Sequence, residues 1–386
     1  MRLFLTIILL SSTAFAILDL GKLKDFFDPD RLDELFDGEK IDGFIDGLKN
    51  VTGKTKNALK LAGGFRGKVG KTERQQFNQF FQHIAKFNKD YKDESTVQTR
   101  FQRFQDSLKN IETLKKQNPL AEFGPTQFSD LSREEFLAKH TGIKGIADIK
   151  EIHADATQAP IRAKRATPAS KDWRAQLGVS AIKDQKGCGC CYAFAAVAAI
   201  ESQNMIKNGV ELDLSEQQAV SCTYNQPTYD NNGGCNGGFS SGVLRYAINK
   251  GLTFESNWAY TSGDTFTVPS CQTKPVTIKA VSQVQLPAGN EANMGSVVGS
   301  TGPIVTYIDA GPLQSYVSGI LDPVEPAGGY QITPAVLTVG YGTSQGLPYW
   351  IVKNSWSSYW GEYGFFRVSR GKNSLMMADW KYAVHI

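Results

Sequence analysis

The spacing of apolar residues changes several times along the 386-residue chain, and each change predicts a different kind of element. An apolar run from Leu3 to Leu10 follows Arg2 and is followed by Ala14-Phe15-Ala16. Over residues 17–74, Leu32, Leu35, Phe36, Ile41, Phe44, Ile45 and Leu48 recur at roughly helical spacing, and the chain then turns basic and glycine-rich from Lys49 to Arg74. The pattern predicts one or two short helices followed by a flexible linker. From about Thr72 it becomes one of long helices, from Arg74 to Asn88 and from Glu94 to Gln117. In the second, Arg100, Phe104, Leu108 and Ile111 share a face, as a docking helix requires. Ser132 and Glu135 have the spacing of a capping box for a further short helix.

Helical signals return from Cys191 to Lys250. Strand-like runs follow at Val276–Val284, Ile304–Ile308, Ala335–Val339, Tyr349–Lys353 and Gly364–Val368. The fold class is therefore α+β. The central stretch is Gln185 to Asn208, where glycines and cysteines give way to an alanine-rich helix ending before Gly209. Cys191 falls at the helix N-terminus, where backbone N–H groups and the helix dipole favour a thiolate. A cysteine so placed is a nucleophile only if the chain supplies a base. Otherwise it is a core residue or half of a disulfide.

Composition narrows the picture. A formal charge of +4 with no Lys/Arg-rich block argues against nucleic-acid binding. The first 16 residues have a secretory layout, too short to span a bilayer, and no later run is long enough for a membrane span. All six cysteines lie between Cys188 and Cys271, so disulfides are permitted and local. Asn50-Val51-Thr52 is an N-glycosylation acceptor in such a compartment. Residues 138–165 read as a linker ending in Arg162-Ala163-Lys164-Arg165. Those four residues are either a solvated basic run or a convertase-type cleavage site, which would start a mature chain near Ala166.

Several motifs together carry a resemblance. They are Cys188-Gly189-Cys190-Cys191-Tyr192, Leu214-Ser215-Glu216-Gln217-Gln218, Gly234-Cys235-Asn236-Gly237-Gly238, Val339-Gly340-Tyr341-Gly342, Lys353-Asn354-Ser355-Trp356 and Trp360-Gly361. In this order and spacing they resemble the papain-like (cathepsin-type) cysteine proteases. Cys190 departs from the family's Ser or Ala. Upstream, Arg100, Phe104 and Ile111 match the family's inhibitory propeptide helix, with Thr96, Ser107 and Lys115 at positions of Glu, Asn and Asn. Gly124, Phe128 and Asp130 match the Gly-x-Asn-x-Phe-x-Asp segment, with Thr126 in place of Asn. The resemblance covers about residues 74–386.

It implies a helical propeptide over 74–137 and a two-domain peptidase fold over 166–386, with a helical left domain, a barrel-like antiparallel right domain and a cleft between them. It makes Cys191 the nucleophile position and Gln185 the oxyanion-hole side chain. Asn354 becomes the residue that orients the catalytic imidazole, under Trp356. Gly237 and Gly238 become the groove that pairs with an extended substrate. The implied bridges are Cys188–Cys235 and Cys222–Cys271, leaving Cys190 and Cys191 as thiols. It calls for no cofactor and no metal. The implied partners are peptide or protein ligands, cystatin-type inhibitors and the chain's own propeptide, and the implied state is a monomer, secreted or endolysosomal.

One element is missing. The family's histidine directly precedes the stretch that here is Ala335-Val336-Leu337-Thr338-Val339-Gly340-Tyr341-Gly342, and this chain has Pro334 there. Its histidines are His83, His140, His153 and His385, the first three in the propeptide and linker and the last penultimate. Without a base the thiol should titrate near its ordinary value of about 8.5. Loss of general acid–base catalysis costs on the order of 10²–10⁴ in rate, and roughly 10⁶ where nucleophile and base act as a unit. The sequence thus predicts a papain-fold protein made as a zymogen, inactive or severely impaired, that binds extended peptides. The alternative is an active endopeptidase working through a Cys191 thioester.

Overall fold

The computed structural model describes residues 40–49, 51–142 and 168–386. The secretory segment, Asn50, His153 and the basic run 162–165 lie outside the described residues. The chain forms two compact units divided between Lys109 and Asn110.

The first unit is helical: α1 (Lys40–Asp46), α2 (Gly53–Phe65), α3 (Arg74–Lys86) and the first part of α4 (Glu94–Gln117). Phe77, Phe80, Phe81 and Ile84 recur at i, i+3, i+4 and i+7 along α3 and are all fully buried. They meet Phe101 and Phe104 of α4 and Leu59, Ala62 and Phe65 of α2 in one core. Basic, glycine-rich composition suggested a linker over 49–74, whereas residues 53–65 are helix. Ala58, Leu59, Ala62 and Phe65 make an apolar stripe among the lysines, and Thr52 caps it by accepting the Thr55 N–H at 3.1 Å. Helix α3 stops at Lys86, before Asn88 takes a left-handed conformation.

The second unit begins in the last turns of α4. Strand β1 (Ala121–Phe123) and helix α5 (Arg133–His140) follow, the helix held by the capping box of Ser132 and Glu135. This helix runs through position 137 and ends at His140. After β2 (Lys171–Asp172) come α6 (Cys191–Asn208), α7 (Glu216–Thr223) and α8 (Ser240–Asn249). Nearly all of α6 is buried, because small alanines let neighbours close in on every face.

After a four-residue helical turn at Ser262–Thr265 come β3 (Ser282–Gln285), α9 (Glu291–Ser300), β4 (Ile304–Tyr307), β5 (Tyr316–Leu321), β6 (Ala335–Ser344), β7 (Leu347–Lys353), β8 (Phe365–Ser369) and β9 (Lys381–His385). The strands order as β1-β5-β8-β7-β6-β4-β9-β3, with β2 added to β6. Among the described strands only β5 and β8 pair in parallel. The β6–β7 hairpin closes on Gln345-Gly346, both with positive φ, as a two-residue turn of this hand requires. The strand expected over Val276–Val284 is confined to Ser282–Gln285. Val276 and Val281 are exposed, so that run has no buried face to pin its register.

Candidate active site

Helix α6 presents Cys191 at its first turn, and strand β6 presents Ala335 opposite it. Cys191 Sγ lies 3.4 Å from the Ala335 N–H and donates to Thr141 O at 3.1 Å. The residue preceding the amide that touches sulfur is Pro334, buried and fixed by the bond from Ile308 N–H to its carbonyl. The proline side chain carries no atom able to take a proton.

The thiol is fully buried. Burial pushes its pKa up to about 12, and the N–H groups of Ala335 and the first turn of α6 only partly offset this. Placement at a helix N-terminus had suggested a poised thiolate. In the prosegment-bound state desolvation outweighs the dipole. Cys190 is equally buried, and its sulfur lies 3.0 Å from the Tyr260 hydroxyl, which donates to Gln185 O. The two other cysteine pairs form bridges, Cys188–Cys235 and Cys222–Cys271.

The prosegment fills the groove with main-chain atoms. His140 O accepts from Gln185 Nε2 at 3.3 Å and from Trp356 Nε1 at 3.0 Å. Thr141 O takes the Cys191 thiol, and Gly142 O accepts the Gly238 N–H at 3.0 Å. Gly142 has a φ of +130°, and a Cβ there would run into Gly189 O, so only glycine fits. Gly238 thus pairs with the prosegment. Gly237 turns its carbonyl back to the Gly233 N–H instead.

Upstream, Phe128 packs edge-on against Trp356 at 5.2 Å, beside Phe136 and the ring of His140. Thr126 Oγ1 donates to Gln314 O and accepts the Phe128 N–H, so threonine supports the turn where the family has asparagine. β1 adds to β5 by antiparallel pairing. His140 Nδ1 faces Lys186 O at 2.9 Å. His385 is held in β9 opposite Ser282.

Asn354 is buried, and its Oδ1 accepts the Ser355 N–H at 2.9 Å. Its Nδ2 has no hydrogen-bond partner among the described residues. A small cavity lined by Asn354, Ala335, Lys183, Glu201, Glu216 and Lys353 adjoins it. An orphaned buried amide is costly, about 1–3 kcal/mol.

Sequence reading missed the charged cluster behind this cavity. Lys183 Nζ meets Glu201 at 3.0 Å, Glu216 at 2.9 Å and Asp213 at 2.8 Å. Burial opposes the ammonium, but Glu216 and Glu201 outweigh it and hold the Lys183 pKa far above the ordinary lysine value. Burial pushes Glu216 up to about 8, against the pull of Lys183, and pushes Lys353 down to about 8. The available signal was Glu201, a carboxylate directly after the apolar, alanine-rich run that opens its helix.

Comparison with known proteins agrees with this geometry. Residues 167–384 match the family described as papain family cysteine protease, and residues 80–136 match the cathepsin propeptide inhibitor domain. A probable cysteine protease of Arabidopsis thaliana, RD19B, is 34% identical over 75% of this chain and 81% of its own length. Cysteine proteinase 2 of Leishmania pifanoi is 33% identical over 78% of this chain and 67% of its own. Digestive procathepsin L2 from Tenebrio molitor larval midgut superposes with a TM-score of 0.71 at 29% identity, covering 81% of this chain and all of that one. The stem bromelain precursor gives 0.69 at 31% identity, covering 81% and 99%. With the cleft, the prosegment and these matches in agreement, the chain belongs to the papain family of cysteine proteases and carries that family's inhibitory propeptide domain.

Proposed function

We propose that this protein is a papain-family zymogen whose cleft binds extended peptide but does not hydrolyse it at an appreciable rate. The observation that carries the reading is the pair of partners around Cys191 Sγ, Thr141 O and Ala335 N–H, with proline as the residue next to that amide. Acyl transfer needs a group to take the thiol proton and return it to the leaving amine. The orphaned Asn354 Nδ2 agrees with an orienting residue that has lost what it oriented. Gln185 and Gly238 keep the polar contacts of a peptide-binding groove.

The secretory layout of residues 1–16 supports a route through the secretory pathway to the exterior or the lysosome, and the described residues include no helix long and apolar enough to cross a membrane. A zymogen unable to cut itself requires another protease, for which Arg162–Arg165 supplies a site. Partners of the freed cleft would be extended peptides or cystatin-type inhibitors, met by a monomer with its mature domain starting near Ala166. A second reading, an active endopeptidase acting through Cys191, is favoured by the relatives' names as cysteine proteases. Binding separates the two. Protein freed of its prosegment should hold a fluorescent peptide with equal affinity as wild type and as Cys191→Ala, and mass spectrometry should recover the peptide intact. A peptide cut by wild type alone would overturn the proposal.

A further inference from the structure

Tyr307, at the end of β4, is fully buried beside the cleft. In the β4–β6 ladder it is paired with Ala335, whose N–H meets Cys191 Sγ. Its hydroxyl oxygen accepts the Ser240 N–H at 2.8 Å, two residues beyond Gly238. Ser240 Oγ in turn donates to Tyr192 O, beside Cys191. The ring stands edge-on to Tyr382 at 6.3 Å. Burial is the main cause that raises the phenol pKa, and the Cys191 thiol is near enough to contribute. The phenol is thus tied to the start of α8 and to the residue of β6 whose amide meets the thiol. An extended strand directs alternate side chains to one face. A peptide lying along Gly238 would need the phenol's place for any large side chain directed at the wall. The groove's present occupant has none at its pairing residue, Gly142.

We propose that Tyr307 determines specificity by filling the side-chain pocket next to Cys191. The cleft therefore accepts extended peptides with glycine or alanine at the residue paired with Gly238, and rejects those with a bulky residue there. This rests on the reading of the cleft as a peptide groove, and the test has one arm that does not depend on it.

In that arm, the full chain is melted with and without phenol. Phenol should raise the melting temperature of Tyr307→Ala, which gains an apolar pocket of its shape, and leave wild type and Tyr307→Phe unmoved. No stabilisation of a folded Tyr307→Ala would refute the filled pocket. The second arm uses the full chain carrying Gly142→Leu, whose added side chain would meet Gly189 O, with release of the prosegment from the groove checked by faster limited proteolysis within 118–142. Fluorescent peptides Ala-Ala-X-Gly-Ala, with X as Gly, Ala, Leu or Phe, are titrated against three proteins on that background: one that keeps Tyr307, one with Tyr307→Phe and one with Tyr307→Ala. Small X should bind at least about tenfold tighter than large X in the first two, and within about threefold in Tyr307→Ala. Equal binding of large and small X with Tyr307 in place would overturn the specificity. Peptides that bind none of the proteins, while phenol still stabilises Tyr307→Ala, would refute the peptide groove and leave the filled pocket standing.

Discussion

Replacing Pro334 by histidine should return an imidazole to the residue adjoining the amide that touches Cys191. With a thiol pKa of about 12, the thiolate fraction at pH 7 is on the order of 10⁻⁵. An imidazolium partner that brings the pKa to about 7 raises that fraction by roughly 10⁵. Nucleophilicity falls with pKa along a Brønsted slope of about 0.4–0.5, which takes back roughly 10²–10²·⁵. The net gain at pH 7 is about 10²·⁵–10³ in reaction with a dipyridyl disulfide. The prosegment limits access equally in both proteins, so the ratio survives its presence, and Cys191→Ala subtracts any signal from Cys190. Histidine also brings a backbone N–H that proline lacks, and a melting curve checks that the variant folds. The wild-type rate should climb about tenfold per pH unit without a plateau through pH 10, while Pro334→His should level off below pH 8. Identical profiles would mean that a side chain at residue 334 does not reach the thiol. A wild-type plateau below pH 8 would mean that Cys191 already has a base.

Two further outcomes concern the prosegment and the buried charges. Phe128→Ala removes a buried ring from Phe136, His140 and Trp356 and should cost about 3–5 kcal/mol. Limited proteolysis should then cut within 118–142 far sooner than in wild type, and unchanged resistance would show that this aromatic cluster does not hold the prosegment. Glu216 has its pKa raised from 4.5 to about 8 in the fold. Its contribution to stability is therefore full below pH 4.5 and lost as pH rises through 8. Wild-type melting temperature should fall from pH 5 to pH 8 more than that of Glu216→Gln, and parallel curves would contradict the assignment.

Much of this was legible because local physics and tertiary packing agree. The α3 and α4 helices, the Ser132 capping box and the strand runs within β6 and β7 are written in periodicity and capping residues. The proline at 334 was equally plain, since the motif after it runs unbroken from Ala335 through Val339-Gly340-Tyr341-Gly342. Helix α2 was hidden because lysines and glycines dominate its composition while four apolar residues decide its packing. Strand β9 was hidden because its Lys381 is buried, a placement made possible by carbonyls such as Pro287 O that only the fold brings near. The thiol's environment was misjudged for a related reason: dipole and sequence position are local, whereas the partners that enclose the sulfur, Thr141 and Ala335, come from 50 and 144 positions away.

The proposed loss of hydrolysis turns on Cys191 having no base. The most direct test is turnover of a fluorogenic peptide amide with small residues by protein freed of its prosegment, measured beside Cys191→Ala. Wild-type release should be indistinguishable from that of Cys191→Ala. Steady turnover by wild type that vanishes in Cys191→Ala would show that the base exists.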